Sequence, residues 1–367
     1  MRKIASLLLV CGMLVAACAG MTSCNGSTGS ETTASVETTA DTQTPGTQFE
    51  IPTDPLEGRT PTSAEYFEIK VDSAAKTATI KAVLTTAPED IVIPAEVEVA
   101  GEKYTVTTVG TSAFAQSTAK SIYVPYTVTE IGEYAFSNCS NLKEIHIPTT
   151  VTELKKGTFS SSAIDSLDFI PASVTKLGER CFEACKNLIK GIVMPDTITT
   201  IGKYCFLDCN KMDEIKLSAN LEAIADHAFS GCSYLGNAAD YVMEIPDSVK
   251  SIGSNAFKDC TRLGAIKLSA NLESIGSKAF DGCKKFDNMN IPDSVKSIGA
   301  NAFDGCTRLA KIKLPANAEL KMGATVFGAK PAKKLAEIFV TAGTPAETWC
   351  KENNLGDRLK NAADYTA

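Results

Sequence analysis

The sequence predicts an α/β solenoid with repeats of about 23 residues. Each repeat is expected to place one short parallel β-strand on a concave face and a short helical turn on the convex side. Three observations carry this. A phenylalanine recurs at Phe114, Phe136, Phe159, Phe182, Phe206, Phe229, Phe257, Phe280, Phe303 and Phe327, mostly 22 to 24 residues apart and once 28 apart. Apolar, glycine and cysteine positions recur in phase with it. Each unit also carries a short stretch that alternates with period two, as a half-buried strand does.

The amino terminus reads as a targeting signal. Arg2 and Lys3 precede an apolar run over residues 4–17, the charged-then-apolar layout of a secretory leader spanning 1–17. This run is too short for a spanning helix. It ends in LVAAC over 14–18, which resembles the lipobox of bacterial lipoproteins and implies lipidation at Cys18. Cys24, after MTS, is the alternative, with the leader then ending at 23; an ordinary cleaved signal with an incidental cysteine is the competing reading. Residues 18–60 are rich in Ser, Thr and Pro and poor in large apolar residues. Such a stretch cannot bury enough surface to offset its ordering entropy, so it is expected to be a disordered tether.

Residues 61–91 contain two alternating segments, at 66–71 and 77–83, that predict a β-hairpin cap. The solenoid proper is expected over 92–330. Its clearest unit reads IPDSVKSIGANAFDGCTRL over 291–309. Five residues before the phenylalanine stands an aliphatic residue such as Ile252, Ile275 or Ile298, or Met322 in the last unit. Glycine follows that residue except where Lys155 and Ala225 intrude. Cysteine stands three residues after the phenylalanine at Cys139, Cys185, Cys209, Cys232, Cys260, Cys283 and Cys306. The three-residue spacing of Phe303, Cys306 and Leu309 is what predicts the helical turn. Two units depart from the pattern. The one at Phe159 carries Lys155, Thr158 and Ser162 in place of glycine, alanine and cysteine. The one after Phe229 has about five extra residues near 236–240. Residues 245–268 resemble 291–314 at an offset of 46, so the carboxy-terminal half reads as a duplicated two-unit block. Residues 331–367 are expected to close the stack with a strand at 338–340 and a helix from Pro345, with Trp349 covering the core.

This pattern closely resembles the BspA-like leucine-rich-repeat family, whose repeats read I-P-x-S-V-T-x-I-G-x-x-A-F-x-x-C-x-x-L. The match runs from about Val92 to Lys330. The resemblance implies a bacterial cell-surface or secreted protein that contacts host or neighbouring cells; it does not transfer a ligand.

The chain carries 36 Lys and Arg against 43 Asp and Glu, and losing the leader makes it more acidic. That argues against nucleic acid as a partner. The repeated cysteines have i, i+4 spacings at Cys181/Cys185 and Cys205/Cys209. Packing as small hydrophobes is the favoured reading, with disulfides and zinc as the alternatives. His146 and His227 are the only histidines, and neither lies near a nucleophile in sequence. No cofactor and no catalytic residue is expected.

The residues between the apolar pairs of each strand form the outward column: Tyr123, His146, Asp168, Val193, Lys216, Glu244, Lys267, Asn290 and Lys313, with Glu144 and Lys311 beside them. Tyr123, His146, Lys216, Glu244, Lys267, Asn290, Lys311 and Lys313 are the candidate binding face, since the exposed sheet of a solenoid is its usual contact surface. The expected function is adhesion or recognition of a protein or glycan on host or neighbouring cells, with the membrane reached only through the N-terminal lipid. A spacer of the cell envelope is the alternative. A secreted hydrolase has least support, because no residue cluster interrupts the repeat to supply a site.

Overall fold

In the computed structural model, residues 58–366 are described apart from Lys190, Lys330 and Ala332. The leader, Cys18, Cys24 and nearly all of the tether lie outside the described residues.

The body is a solenoid whose coils stack through two parallel ladders rather than the single strand per repeat that the sequence suggests. The first is the expected alternating ladder. It joins Asp90–Val92, Ser121–Tyr123 and Glu144–His146, then resumes in pairs at Ile192–Val193 with Ile215–Lys216 and at Met243–Glu244 with Ile266–Lys267. After a further break it resumes through Asn288–Asn290, Lys311–Lys313 and Glu337–Val340.

The second ladder is built from the aliphatic-glycine step. Ala223–Ile224, Ser251–Ile252, Ser274–Ile275, Ser297–Ile298 and Lys321–Met322 pair in one uninterrupted sheet. In each regular coil the glycine N–H donates to the aliphatic carbonyl one coil earlier, as Gly276 does to Ile252 and Gly299 to Ile275 at 2.7 and 2.8 Å. A Cβ at Gly276 or Gly299 would stand 2.5 or 2.3 Å from backbone atoms of the preceding coil. Close backbone approach, not positive φ, is therefore why glycine is needed here. The ladder breaks in two places, between Ile131 and Glu153 and between Ile201 and Ala223. Those are the coils where Lys155 and Ala225 replace glycine.

The expected helical turns on the convex side do not form. Around Phe257, Asn255 and Asp259 have φ of 56° and 58°, outside the helical region. The N–H groups of Asn255, Phe257 and Asp259 donate to Ser277, Ala279 and Asp281 of the next coil, while those of Ala256 and Lys258 close three-residue turns within their own coil. A helix needs every N–H for its own i−4 carbonyl. Here half of them leave for the neighbour, and the same alternation recurs along the stack.

The phenylalanines form the spine. From Phe136 to Phe303 their ring centroids step by 5.3 to 5.6 Å, and from Phe159 onward the planes lie within 9° of parallel. Burying such a ring contributes about 1.5–3 kcal/mol. The cysteines accompany this spine as free, buried thiols. In the seven that stand three residues after a phenylalanine, Sγ–H donates to the carbonyl of the phenylalanine one coil earlier, from Cys139 to Phe114 at 3.0 Å through Cys306 to Phe280 at 3.2 Å. That carbonyl also accepts the N–H of its own coil's cysteine, as in Cys260 to Phe257, so the thiol satisfies a second lone pair.

The duplicated two-coil block has a cause in the turns. Asp196, Asp247 and Asp293 each accept a backbone N–H of the following coil, from Ala219, Ala270 and Ala316, on a carboxylate oxygen. Their own carbonyls accept the side-chain amides of Asn220, Asn271 and Asn317. Asp coils and Asn coils therefore alternate.

Both ends are closed. Phe67–Asp72 and Thr77–Val83 form the expected antiparallel hairpin, and a second hairpin, Glu96–Val99 with Glu102–Val109, joins it. At the other end the helix Pro345–Glu352 starts at Thr344, whose hydroxyl accepts the Glu347 N–H. Trp349 meets Phe327 edge-on at 6.1 Å. The chain then returns as Leu359–Asn361, parallel to Glu337–Val340.

Candidate recognition face

The alternating ladder presents its middle residues outward because neighbours along a strand face opposite sides. Val193 pairs in register with Lys216, Glu244 with Lys267, and Asn290 with Lys313. Lys216, Glu244, Lys267 and Asn290 are exposed, whereas His146, Lys311 and Lys313 are half-buried. Lys267 and Glu244 approach to 3.8 Å and Lys311 and Glu337 to 3.3 Å. Such solvated pairs contribute little to stability.

Tyr123 is not part of this surface. It is 5% exposed, with the Arg59 guanidinium 3.6 Å above its ring and its hydroxyl donating to Glu144. The segment carrying Arg59 is tied down at Thr62, which exchanges hydrogen bonds with Val92. Burial, reinforced by the hydrogen bond to Glu144, pushes the Tyr123 phenol up to about 12. Asp168 is exposed but lies where the alternating ladder has no strand, since the period-two alternation fails there.

Between Lys216 and Met243 the alternating ladder is interrupted. The extra residues 236–240 lie here. Gly236, at φ +87°, packs so closely on the next coil that a Cβ would meet Leu263 Cα at 2.7 Å. Arg262 lies over Tyr234 at 3.8 Å and donates to Asn237. The loop delivers Tyr241, whose hydroxyl donates to the Ile215 carbonyl at 2.8 Å and accepts the Ile215 N–H at 3.3 Å. One side chain thus takes both main-chain groups that the next strand would have taken. Burial pushes the Tyr241 phenol up to about 12, which keeps this hydroxyl protonated at neutral pH.

The interruption opens a groove of about 560 Å³. Its walls include Val193, Lys216, Leu217, Tyr241, Val242 and Glu244, with Lys267 at the rim. Glu214 accepts the Gly191 N–H and Asp247 the Ala270 N–H. Glu244 lies beside Lys267, while Lys216, Glu214 and Asp247 have no ion-pair partner among the described residues. Sequence reasoning named Lys216, Glu244 and Lys267 but missed Tyr241 and Val242. The available signal was the 28-residue spacing followed directly by Tyr241.

Elsewhere the chemistry is quiet. Burial pushes the thiols of Cys139 and Cys185 up to about 11 and about 12, away from the thiolate a nucleophile requires. His227 stacks on Tyr204 at 4.6 Å, and burial lowers its pKa. Among the described residues, no group of three or more His, Cys, Asp or Glu side chains is arranged to hold a metal ion.

The sequence profile of the BspA type leucine rich repeat region matches six copies over residues 107–236 and 241–342. The chain belongs to the BspA-type leucine-rich-repeat family. The boundary between the matched stretches falls at the insertion, so the loop that breaks the ladder also interrupts the repeat profile. A leucine-rich-repeat protein from Bacteroides ovatus is similar in structure, with a TM-score of 0.64 and 27% identity over 75% of this chain and 70% of that one. A leucine-rich cell surface protein from Faecalibacterium prausnitzii matches 82% of this chain and 99% of its own, at 23% identity and a TM-score of 0.38. No curated protein matches.

Proposed function

We propose that this BspA-type solenoid is a non-catalytic recognition protein of the bacterial surface, held there by a lipid on Cys18 or, alternatively, Cys24. Its partner is a protein or glycan on host or neighbouring cells, met by the alternating ladder. The observation that carries this reading is the groove between Lys216 and Glu244. It lies on the face whose outward residues vary from coil to coil, and an inserted loop with a dedicated hydrogen-bonding tyrosine frames it. A spacer would have no use for such an interruption, since every regular coil gains stability from an intact ladder. The surface location is supported by the lipobox-like LVAAC over 14–18.

The test is binding of the purified body to arrayed matrix proteins, mucins, glycans and bacterial surfaces, repeated with Lys216→Glu and Lys267→Glu combined. Recognition by this face predicts a saturable partner that the double variant loses. A partner retained at full affinity rejects the face, and binding to nothing on the array favours the spacer. Metabolic labelling with a lipid analogue tests the anchor; it predicts label that disappears in Cys18→Ser, or in Cys24→Ser if that is the site.

A further inference from the structure

Resting on the reading of a glycan partner, we infer that the carboxy-terminal coils dock a linear sulfated glycan, outside the groove, along the corner where each coil turns into the alternating ladder. The corner positions lie four and five residues after the spine phenylalanine: Thr261 and Arg262, Lys284 and Lys285, Thr307 and Arg308. Lys333 and Lys334 take the same places one coil later, counting back from Ala336, whose N–H donates to the Ala310 carbonyl. Six of these eight positions are Lys or Arg and none is acidic, in a chain with 36 Lys and Arg against 43 Asp and Glu. Such a local excess of one charge marks a surface for a partner of the opposite sign.

The fold does not call for these lysines. In other coils a corner side chain ties the turn to the coil before it: Asn141 donates to the Thr118 carbonyl, Asn187 to Ala163, Ser233 to Asn210 and Thr261 to Ser233, at 3.2 to 3.4 Å. The two lysine pairs give up that bond. Their side chains are exposed and have no hydrogen-bond or ion-pair partner among the described residues. The carboxylates flanking the corner are mostly engaged by other cations. Arg308 holds Asp287 through two N–H groups at 3.1 Å, Lys311 lies 3.3 Å from Glu337, and Lys258 lies 3.3 Å from both Asp259 and Asp281. Of the other two, Asp304 accepts the Gly305 N–H, and Asp357 falls in the terminal coil beyond Lys334.

Strands stack about 4.8 Å apart, so the two lysine pairs, in alternate coils, stand about 10 Å apart along the axis. Arg262 extends the row by one coil. A row this narrow and straight suits an extended polymer with a charge at each repeat rather than a compact anion. The free cations are lysines, point charges without the guanidinium fork that matches a carboxylate, and a pair of ammonium groups can meet the outer oxygens of a sulfate ester in any rotation. Single-stranded nucleic acid calls for open aromatic faces on which bases stack, but Tyr234, at the head of the row, has Arg262 over its ring at 3.8 Å. A membrane surface calls for apolar side chains beside the cations, and no exposed large apolar residue lies beyond Val242.

The experiment titrates heparin-derived oligosaccharides into the mature chain at physiological salt, with desulfated heparin, oligoglutamate, oligothymidylate and phosphatidylserine vesicles in parallel. It is repeated with Lys284→Gln, Lys285→Gln, Lys333→Gln and Lys334→Gln combined. The control combines Lys70→Gln, Lys81→Gln, Lys103→Gln and Lys143→Gln, which remove the same charge from four exposed lysines at the other end of the molecule. The altered side chains are all exposed, and an unchanged melting temperature confirms that both variants fold. The sulfated chain should bind saturably, about tenfold or more weakly in the corner variant, and undiminished in the control; desulfation should abolish binding. Equal loss in both variants, equal affinity for the desulfated chain, or tighter binding of oligoglutamate, oligothymidylate or vesicles overturns the proposal. If heparin binds through the corner while no arrayed partner depends on Lys216 and Lys267, the docking row stands and the ladder reading falls. If a ladder-dependent partner is found and heparin is ignored, the row alone falls.

Discussion

The two ladders of this solenoid are made by the same coils, yet they break in different places and for different reasons. The glycine ladder is lost only where a side chain replaces glycine, at Lys155 and Ala225, because any Cβ there meets the coil behind it. The alternating ladder is lost where residues were added or the alternation failed, at 168 and between 216 and 243, and also between Lys267 and Asn288. One edge of the coil is thus constrained by steric approach and admits almost no change. The other carries long outward side chains and absorbs five extra residues while the phenylalanine rings on either side, Phe229 and Phe257, stay stacked within 3° of parallel. Insertion is thus tolerated on the face that the proposal assigns to recognition, whereas the glycine ladder varies only by single substitutions.

The contrast can be broken at several strengths, and the largest effect comes from the thiols that lie between the ladders. Burial raises Cys185 to about 12 and holds Cys209, Cys232 and Cys283 well above the ordinary value. Below about pH 8.5 both folded and unfolded thiols are protonated, and nothing is lost. Above that, the unfolded chain releases protons that the folded chain retains, so stability falls as pH rises from about 9 toward 12. Each buried thiol contributes about 1.4 kcal/mol of loss per pH unit in that window. Unfolding free energies from urea titrations at pH 8 and pH 10 are expected to differ by about 2 kcal/mol for each such thiol, and Cys260→Val should reduce the difference. A midpoint indifferent to this change of pH contradicts the sealed thiol column.

Next in size is the spine itself. Phe257→Ala is expected to lose about 3–5 kcal/mol, because both ladders rest on the ring it removes. Gly276→Ala follows at about 2–3 kcal/mol, since its Cβ forces the coils apart. The matched change on the other ladder, Lys267→Ala, should stay within about 0.5 kcal/mol. Equal costs for these two would erase the distinction between the edges. Smallest is Tyr241→Phe, which strips the hydroxyl from Ile215 at a cost of about 1 kcal/mol. Hydrogen exchange should quicken at the Ile215 amide while Ile252 and Ile275 keep their protection.

Much of this was legible in the sequence because many positions recur in one phase. The phenylalanine column, the packed cysteines, the N-terminal hairpin and the Trp349 cap all follow from spacing and residue type. The second ladder was hidden, since an aliphatic-glycine step reads as punctuation for a turn until the neighbouring coil supplies its carbonyl. The convex turns were misread for a related reason. A three-residue spacing of Phe, Cys and Leu fits a helix, but whether the Phe257 N–H bonds within its coil or to Ala279 is decided by stacking. Tyr123 looked outward because Arg59, which covers it, lies 64 residues earlier. At the groove, Lys216, Glu244 and Lys267 were visible as the middle residues of their strands. Tyr241 was not, because an inserted residue has no repeat position to announce its role.

The most direct test of the account compares two charge reversals on opposite ladders. Lys216→Glu with Lys267→Glu alters the alternating ladder, and Lys250→Glu with Lys321→Glu alters the glycine ladder by the same charge. Affinity for whichever surface partner the unaltered body captures should fall by more than about tenfold in the first variant and stay unchanged in the second. Loss in the second alone, or retention in both, would contradict the division of labour between the ladders.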